Sequence, residues 1–219
     1  MVTEEEIGKI IAILKKEMKK YKEPAVTQVS HTRDPFKVLV SCILSLRTRD
    51  STTEKASGRL FAIADNPADM LKIATRKIAK AIYPVSFYRV KSKAIKQICK
   101  DILEKYSGKV PDAMDELLSF RGVGRKTANI VMVYGFHRQG LPIDTHCHRI
   151  PNRLGWIKTK TPEETEEVLR KMLPKRCWSD FNDLFVTFGQ NVCIPVHPRC
   201  TTCPVLRHCR FGKERLSKF

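Results

Sequence analysis

The sequence lacks several features, each of which would indicate a different class of protein. Lys or a polar residue interrupts every apolar stretch within a few positions, so no segment approaches the ~18 apolar residues of a membrane span. No run alternates strictly between apolar and polar residues, and no internal repeat or low-complexity linker occurs. The first ten residues, MVTEEEIGKI, are acidic and then amphipathic, unlike a secretory signal. We therefore expect an intracellular protein with no membrane partner.

Acidic residues are also scarce. The 219 residues include 41 Lys and Arg but 23 Asp and Glu, which gives a net charge of +18. Between Lys72 and Lys109, eleven Lys and Arg are accompanied by two acids, Asp101 and Glu104. One-sided charge of this kind favours a polyanionic partner. The alternative is a solvated, lysine-rich surface of the kind found in heat-adapted proteins.

The spacing of apolar residues predicts helices almost throughout the chain. The predicted helices lie at 7–21, from Pro35 onward, and at 51–64, 75–83, 91–106 and 177–190. A further helix begins at Thr161-Pro162-Glu163-Glu164, which has the pattern of a capping box with proline at the first helical position. We predict an all-α fold with short connections.

The eight cysteines are unevenly distributed. Four are scattered, and the other four fall within seventeen residues at the spacing C-x6-C-x2-C-x5-C, namely Cys193, Cys200, Cys203 and Cys209. A secreted disulfide framework would spread its cysteines over the chain. Zinc sites usually combine two Cys or His pairs, whereas four thiolates from one compact loop suit an iron–sulfur cluster. Zinc and disulfides remain as alternatives.

Two apolar-periodic segments within residues 112–135 flank Gly122-Val123-Gly124. A tight turn between two helices leaves the first N–H groups of the second helix pointing outward. Glycine has no Cβ, so a phosphate can approach the backbone, and the helix dipole adds partial positive charge there. Arg121 and Arg125 add full charges. The segment therefore predicts a sequence-independent grip on a DNA backbone, with an ordinary helical hairpin as the alternative.

This segment resembles the helix–hairpin–helix of the endonuclease III family of DNA glycosylases. Residues 122–129 read GVGRKTAN, as is usual in the family, while residues 120–121 are Phe-Arg in place of Leu-Pro. Residues 143–146, IDTH, are similar to the family's Val-Asp-Thr-His block and place Asp144 eighteen positions after Lys126. The resemblance extends over nearly the whole chain.

Two further segments carry the same resemblance. Residues 44–50, LSLRTRD, are similar to the family's Leu-Ser-x-Gln-Thr-x-Asp block, with Arg47 at the usual glutamine position. The four clustered cysteines match the family's cysteine loop, which binds a [4Fe–4S] cluster with a structural role. The resemblance therefore implies a [4Fe–4S] cofactor held by those four cysteines.

The resemblance implies a bifunctional DNA glycosylase and abasic-site lyase that excises oxidised pyrimidines, such as thymine glycol, in base excision repair. Lys126 would attack the sugar C1′ and form a Schiff base, Asp144 would assist, and β-elimination would cut the strand 3′ to the abasic site. The positive end of a helix dipole repels an ammonium and so favours the neutral, nucleophilic amine. The bland alternative is a surface lysine and a helix-capping aspartate.

The family match also assigns two residues to reading the DNA. Phe87 matches a residue that wedges into the base stack, and Arg47 matches the one that fills the space left by a flipped base. Core packing for Phe87 and a plain surface position for Arg47 are the alternatives. The partner would be double-stranded DNA that contains a damaged base or an abasic site.

The same resemblance predicts two lobes. A six-helix barrel would span 28–138, with the helix–hairpin–helix at 112–135. Residues 1–27 and 139–219 would form the iron–sulfur lobe. We expect a monomer that is intracellular and resides with the DNA, in the cytoplasm or nucleoid if the source is prokaryotic. The rival functions are a monofunctional mismatch or adenine DNA glycosylase and a non-catalytic DNA-binding protein.

Overall fold

The computed structural model describes residues 2–217. The α-helices are α1 Glu4–Met18, α2 Ala25–Ser30, α3 Pro35–Ser45, α4 Asp50–Phe61, α5 Pro67–Lys72, α6 Thr75–Ile82, α7 Tyr88–Lys105, α8 Met114–Ser119, α9 Arg125–Ile130, α10 Thr145–Leu154, α11 Pro162–Met172, α12 Trp178–Asn191 and α13 Arg210–Leu216. No strand occurs among the described residues, and the all-α prediction is confirmed. Within the same span, no helix has the length and apolarity to cross a membrane.

The chain divides into two compact units. The central unit comprises residues 24–140 and contains α2 to α9. The terminal unit comprises the described parts of 1–23 and 141–219, and therefore joins α1 to α10–α13. The division predicted from the sequence placed the barrel at 28–138 and formed the second lobe from the segments before and after it in the chain, 1–27 and 139–219. Each unit has its own apolar core.

The central unit packs around α3, whose interior residues are buried. Asp34 caps this helix, since its carboxylate accepts from the N–H groups of Phe36 at 2.9 Å and Lys37 at 3.2 Å. Pro35 at the first helical position fits the same start. The helix ends at Ser45. Capping and burial therefore fix the segment that leads directly into Arg47.

Helix α7 begins at Tyr88, three residues before the predicted start at 91. Phe87 precedes it in the left-handed conformation, with φ +56°, and no side chain caps the helix within the described chain. A capping pattern was therefore absent from the sequence at this point, and the apolar periodicity alone placed the start too late. Phe87 thus stands at the N-terminus of the longest helix of this unit.

The helix predicted to continue to residue 135 changes form on the way. Residues Val131–Gly135 adopt a π-helical turn, closed by a bond from the Phe136 N–H to the Val131 carbonyl at 3.2 Å. A Cβ at Gly135 would lie 3.0 Å from the Cα of Pro35. Glycine at this position therefore allows the start of α3 to pack closely against the wider turn.

The terminal unit is built on aromatic packing along α12. Phe181 and Phe185 stack with ring centroids 4.1 Å apart, and Trp156 packs against Phe185 at 5.8 Å. The apolar face of α1 is buried in the same core, as its helical spacing predicts. This packing supports α10, which begins at Thr145 directly after Asp144.

The predicted capping box of α11 is present only in part. The Thr161 hydroxyl accepts from the Glu164 N–H at 3.2 Å, as predicted. The Glu164 carboxylate instead accepts from the Lys160 N–H at 2.8 Å, one residue before the expected position. The N–H groups of Glu164 and Lys160 therefore both have acceptors. The helix starts at Pro162, where the sequence indicated.

Candidate functional site

The turn between α8 and α9 has the geometry of a tight hairpin. The Val123 N–H donates to the Phe120 carbonyl at 3.1 Å and closes the turn. Gly122 has φ +84°, a conformation that favours glycine. Phe120 and Val123 are both buried and anchor the turn in the apolar core. Replacing the family's Leu-Pro with Phe-Arg has therefore kept the turn closed, because Phe120 supplies the apolar anchor.

Gly124 forms the N-terminus of α9 in an extended conformation, with φ −101° and ψ 177°. Its carbonyl accepts from the Ala128 N–H at 2.9 Å, which closes the first helical turn. A Cβ at Gly124 would meet no atom of the protein within 4 Å. Arg121 and Arg125 are exposed on either side. The site is thus an open, basic helix N-terminus, which suits an anion such as a phosphate.

Lys126 is the second residue of α9 and is half-buried. Its charge acts on the thiol of Cys42, which is buried in α3. Burial raises the pKa of Cys42 to about 12, and Lys126 opposes that rise. Cys42 therefore remains a neutral thiol near neutral pH.

Asp144 lies in the terminal unit and caps α10. Its Oδ1 accepts from the N–H groups of His146 and Cys147, both at 2.8 Å. The capping role considered from the sequence is therefore present. Capping also fixes the direction of the carboxylate at the helix N-terminus, and such a fixed carboxylate is suited to acid–base or electrostatic work.

Arg47 and Phe87 both lie in the central unit and both have exposed side chains. Phe87 is 61% exposed, which excludes the core-packing alternative for this residue. Both residues have positive φ, +54° for Arg47 and +56° for Phe87. Each therefore stands at a turn where the backbone presents the side chain outward.

Sequence analysis missed Lys91, a buried lysine behind those two turns. Its Nζ donates to the carbonyls of Leu44 at 2.9 Å and Leu46 at 2.5 Å, and to the Thr48 hydroxyl at 3.2 Å. A signal was available, because Lys91 falls on the buried face of α7, four positions before Ile95. A charged residue at such a position indicates a buried partner.

The four clustered cysteines line one pocket of the terminal unit, among apolar neighbours that include Ile150 and Val192. None of the four forms a disulfide. Burial is the main cause that raises the pKa of Cys203 to about 11, and the other three cysteines contribute to that rise. Burial also raises the pKa of Cys209. These two thiols form thiolates at neutral pH only where a cationic centre stabilises the negative charge.

The surroundings of the pocket supply donors to sulfur. Arg153 Nη1 lies 3.4 Å from the Cys193 Sγ, and the Gly212 N–H donates to the Cys209 Sγ at 3.3 Å. Among the described residues, no three His, Cys, Asp or Glu are arranged to hold a single metal ion. The donor set of the pocket is four cysteine sulfurs, which is the ligand chemistry of iron–sulfur clusters and of thiolate zinc sites.

His146 and His148 each have a structural partner. His146 Nδ1 is 3.0 Å from Arg149 Nη2, and a Cβ at Gly189 would lie 2.1 Å from that same nitrogen. His148 Nδ1 is 2.7 Å from the Thr165 hydroxyl. Both rings are thus engaged within the terminal unit, and they add no metal site.

Comparison with known proteins identifies the family of this chain. The model of the HhH-GPD superfamily base excision DNA repair proteins matches residues 40–175, a range that contains both the hairpin and Asp144. The chain belongs to this superfamily. The match begins inside α3 and ends before α12, so the four clustered cysteines lie outside it.

Relatives within this superfamily are close. The Endonuclease III of Thermotoga maritima is 48% identical over 83% of this chain and 85% of its own length. The mouse Endonuclease III-like protein 1 is 43% identical over 77% of the chain, and the match spans 57% of the mouse protein. A solved structure of a trapped Endonuclease III–DNA covalent intermediate is 30% identical, with a TM-score of 0.85, over 99% of this chain and 100% of that one.

Proposed function

We propose that this protein is a bifunctional DNA glycosylase and abasic-site lyase that excises oxidised pyrimidines from double-stranded DNA in base excision repair. The observation that carries the proposal is Lys126 at the start of α9, directly after an open, basic hairpin, in a chain 48% identical to an Endonuclease III. The covalent DNA intermediate trapped for a structurally similar Endonuclease III supports a nucleophilic residue in place of simple hydrolysis.

The binding step rests on the central unit. Gly122 and Gly124 let a DNA phosphate approach the backbone, and Arg121 and Arg125 add positive charge at that point. These contacts are independent of base sequence, so they position the duplex. In this proposal, Arg47 and Phe87 read the lesion, because a base must leave the stack before its sugar can be attacked.

The chemistry begins with the neutral amine of Lys126. Its lone pair forms a bond to C1′, the N-glycosidic bond breaks, and the damaged base leaves with the bonding electrons and takes up a proton. Asp144 assists by stabilising positive charge that develops on the sugar. The bound amine then loses a proton, the C1′–O4′ bond of the sugar ring breaks, and O4′ takes up a proton, which leaves a protonated Schiff base at C1′. Loss of a C2′ proton and cleavage of the C3′–O bond complete β-elimination on the 3′ side.

The four cysteines of the terminal unit would hold a [4Fe–4S] cluster. When bound, such a cluster supplies a cross-link between Cys193, Cys200, Cys203 and Cys209. Its role here is structural, so no step of the reaction passes through it. Arg153 and the Gly212 N–H donate to two of the sulfurs, and such donors stabilise thiolate ligands.

Borohydride trapping tests the proposal. With a duplex that contains thymine glycol or an abasic site, wild-type protein should form a covalent product, and Lys126→Ala should form none while still binding the duplex. Asp144→Asn should bind but react about 10²–10⁴-fold more slowly. Binding by the wild type without any trapped product would support the non-catalytic alternative. Excision of adenine or mismatched thymine without strand cleavage would support the monofunctional one.

A further inference from the structure

Lys91 differs from its neighbours on α7. Lys93, Lys100 and Lys105 of the same helix are exposed, whereas Lys91 is only 7% exposed. Burying an ammonium is costly unless every donor finds an acceptor. Burial does lower the pKa of Lys91, to about 8, which leaves it mostly protonated at pH 7. An ammonium has three donors, and the structure provides three acceptors.

Those acceptors all belong to one short segment. The carbonyls of Leu44 and Leu46 lie at the end of α3, where carbonyl groups have no partner within the helix. A positive charge is also favoured at a helix C-terminus. The third acceptor is the hydroxyl of Thr48, the residue after Arg47. Lys91 therefore holds the turn that presents Arg47.

The Thr48 hydroxyl has a second contact. It accepts from the backbone N–H of Ser86 at 3.2 Å, and Ser86 directly precedes Phe87. One hydroxyl thus connects Lys91, the Arg47 turn and the Phe87 turn. Both turns contain a non-glycine residue at positive φ, a strained conformation that persists only where the surroundings impose it. The Lys91 and Thr48 contacts supply such surroundings.

We propose that Lys91 is a positioning residue that holds Arg47 and Phe87 at one fixed spacing, so that both side chains enter the DNA stack together at the lesion. The inference rests on the proposed function, because it requires that these two residues read DNA. Side chains that penetrate a base stack need rigid support, since the protein must offset the cost of unstacking.

Lys96 provides a matched control on the same helix. Its Nζ donates to the carbonyls of Leu71 and Ile73, the latter at 2.8 Å, and so holds the end of α5. The chemistry is the same as at Lys91, a lysine on backbone carbonyls, but its acceptors are not in the Arg47 or Phe87 turns. If lysines bound to backbone carbonyls were purely structural on this helix, the two substitutions would have equal effects.

The test uses Lys91→Met and Lys96→Met, which keep side-chain length and remove the charge. A duplex carries a tetrahydrofuran abasic analogue with 2-aminopurine opposite it, and the fluorescence rise at saturating protein reports displacement of that base. We expect Lys91→Met to reduce this rise several-fold and to slow single-turnover excision of thymine glycol by about tenfold or more. Lys96→Met should leave both unchanged, even where it lowers the melting temperature as much.

A second variant, Thr48→Val, tests the inference if Lys91→Met fails to fold. It removes the shared hydroxyl at nearly constant side-chain volume, and it should also reduce the fluorescence rise. Equal losses in the Lys91 and Lys96 variants, no loss in Lys91→Met, or no rise with wild-type protein that still gives the borohydride-trapped product, would each overturn the inference. Failure of wild-type trapping is a separate result, which contradicts the proposed function itself.

Discussion

The hairpin of the central unit and the cysteine loop of the terminal unit (residues 193–209) are stabilised in different ways. The hairpin is complete by itself: its turn is closed by a backbone bond, and Phe120 and Val123 anchor it in the core. The cysteine loop surrounds a pocket lined by four thiols, and burial raises the pKa of two of them, Cys203 and Cys209. One region is folded around its own apolar residues, and the other gathers sulfur side chains around a pocket.

The same contrast holds for the charged residues nearby. Beside the hairpin, Arg121 and Arg125 are exposed and available to an anion. Beside the cysteine loop, Arg149 and Arg153 point inward: they donate to the carbonyls of Cys193, at 2.7 Å, and Ile194, at 2.9 Å. The exposed cations are available to a partner from solution, whereas the inward ones brace the backbone of the cysteine loop.

The largest effect should come from removing one thiolate. Cys203→Ser should abolish the absorbance near 400 nm of anaerobically purified protein and lower its melting temperature, because the loop loses its cross-link. Cys177→Ser, a buried cysteine of the same unit outside the loop, should keep the absorbance. Iron analysis and thermal unfolding check both. Stoichiometric zinc without iron in the wild type would contradict the cluster.

A smaller effect should follow from removing the brace. Arg153→Met loses the contact with the Cys193 sulfur, two carbonyl contacts and a cation–π contact with Phe211 at 4.7 Å. We expect the absorbance near 400 nm to decay several-fold faster in air, because a donor such as Arg153 protects the cysteine sulfur to which it donates.

Arg170→Met is the control for that variant. Arg170 makes a similar cation–π contact, 4.9 Å from the Trp178 ring, and an ion pair with Glu166 at 2.9 Å, and neither partner lines the cysteine pocket. Its absorbance should decay at the wild-type rate. Equal decay in the two variants would show that loss of packing in the terminal unit, and not the sulfur contact, controls the lability.

The smallest effects separate the two glycines of the hairpin. Gly122→Ala meets no atom within 4 Å but forces alanine to φ +84°, so it should lower the free energy of unfolding by about 1–2 kcal/mol. Gly124→Ala meets neither strain nor a clash, so its unfolding should match the wild type within about 0.5 kcal/mol. Chemical denaturation measures both.

Gly124→Ala should also affect DNA binding. Gly124→Ala places a Cβ where a phosphate would approach, so it should weaken duplex binding although the fold is intact. Fluorescence anisotropy at fixed salt measures this. Unchanged affinity of Gly124→Ala would mean that the hairpin is structural only, and the ordinary-hairpin alternative would then be preferred.

The sequence predicts much of the helical architecture. Apolar residues at helical spacing predicted most helices to within a few residues, because that spacing is a direct consequence of burying one helix face. The Asn66-Pro67 pair indicates the start of the helix Pro67–Lys72. The short helices Ala25–Ser30 and Arg210–Leu216 were not predicted, because six or seven residues span fewer than two turns and show little periodicity. The π-helical turn after α9 carried no signal in the sequence pattern.

The sequence by itself determined the local features: the glycine turn, the lysine that follows it, and the cysteine spacing. These are set by neighbouring residues, whose chemistry acts over one or two turns of chain. Only the tertiary structure decided that Lys91 lies buried beneath the turns of Arg47 and Phe87, and that arginines from α10 brace the cysteine loop. Those contacts join residues about 40 positions apart, and long-range packing, which no local pattern encodes, brings them together.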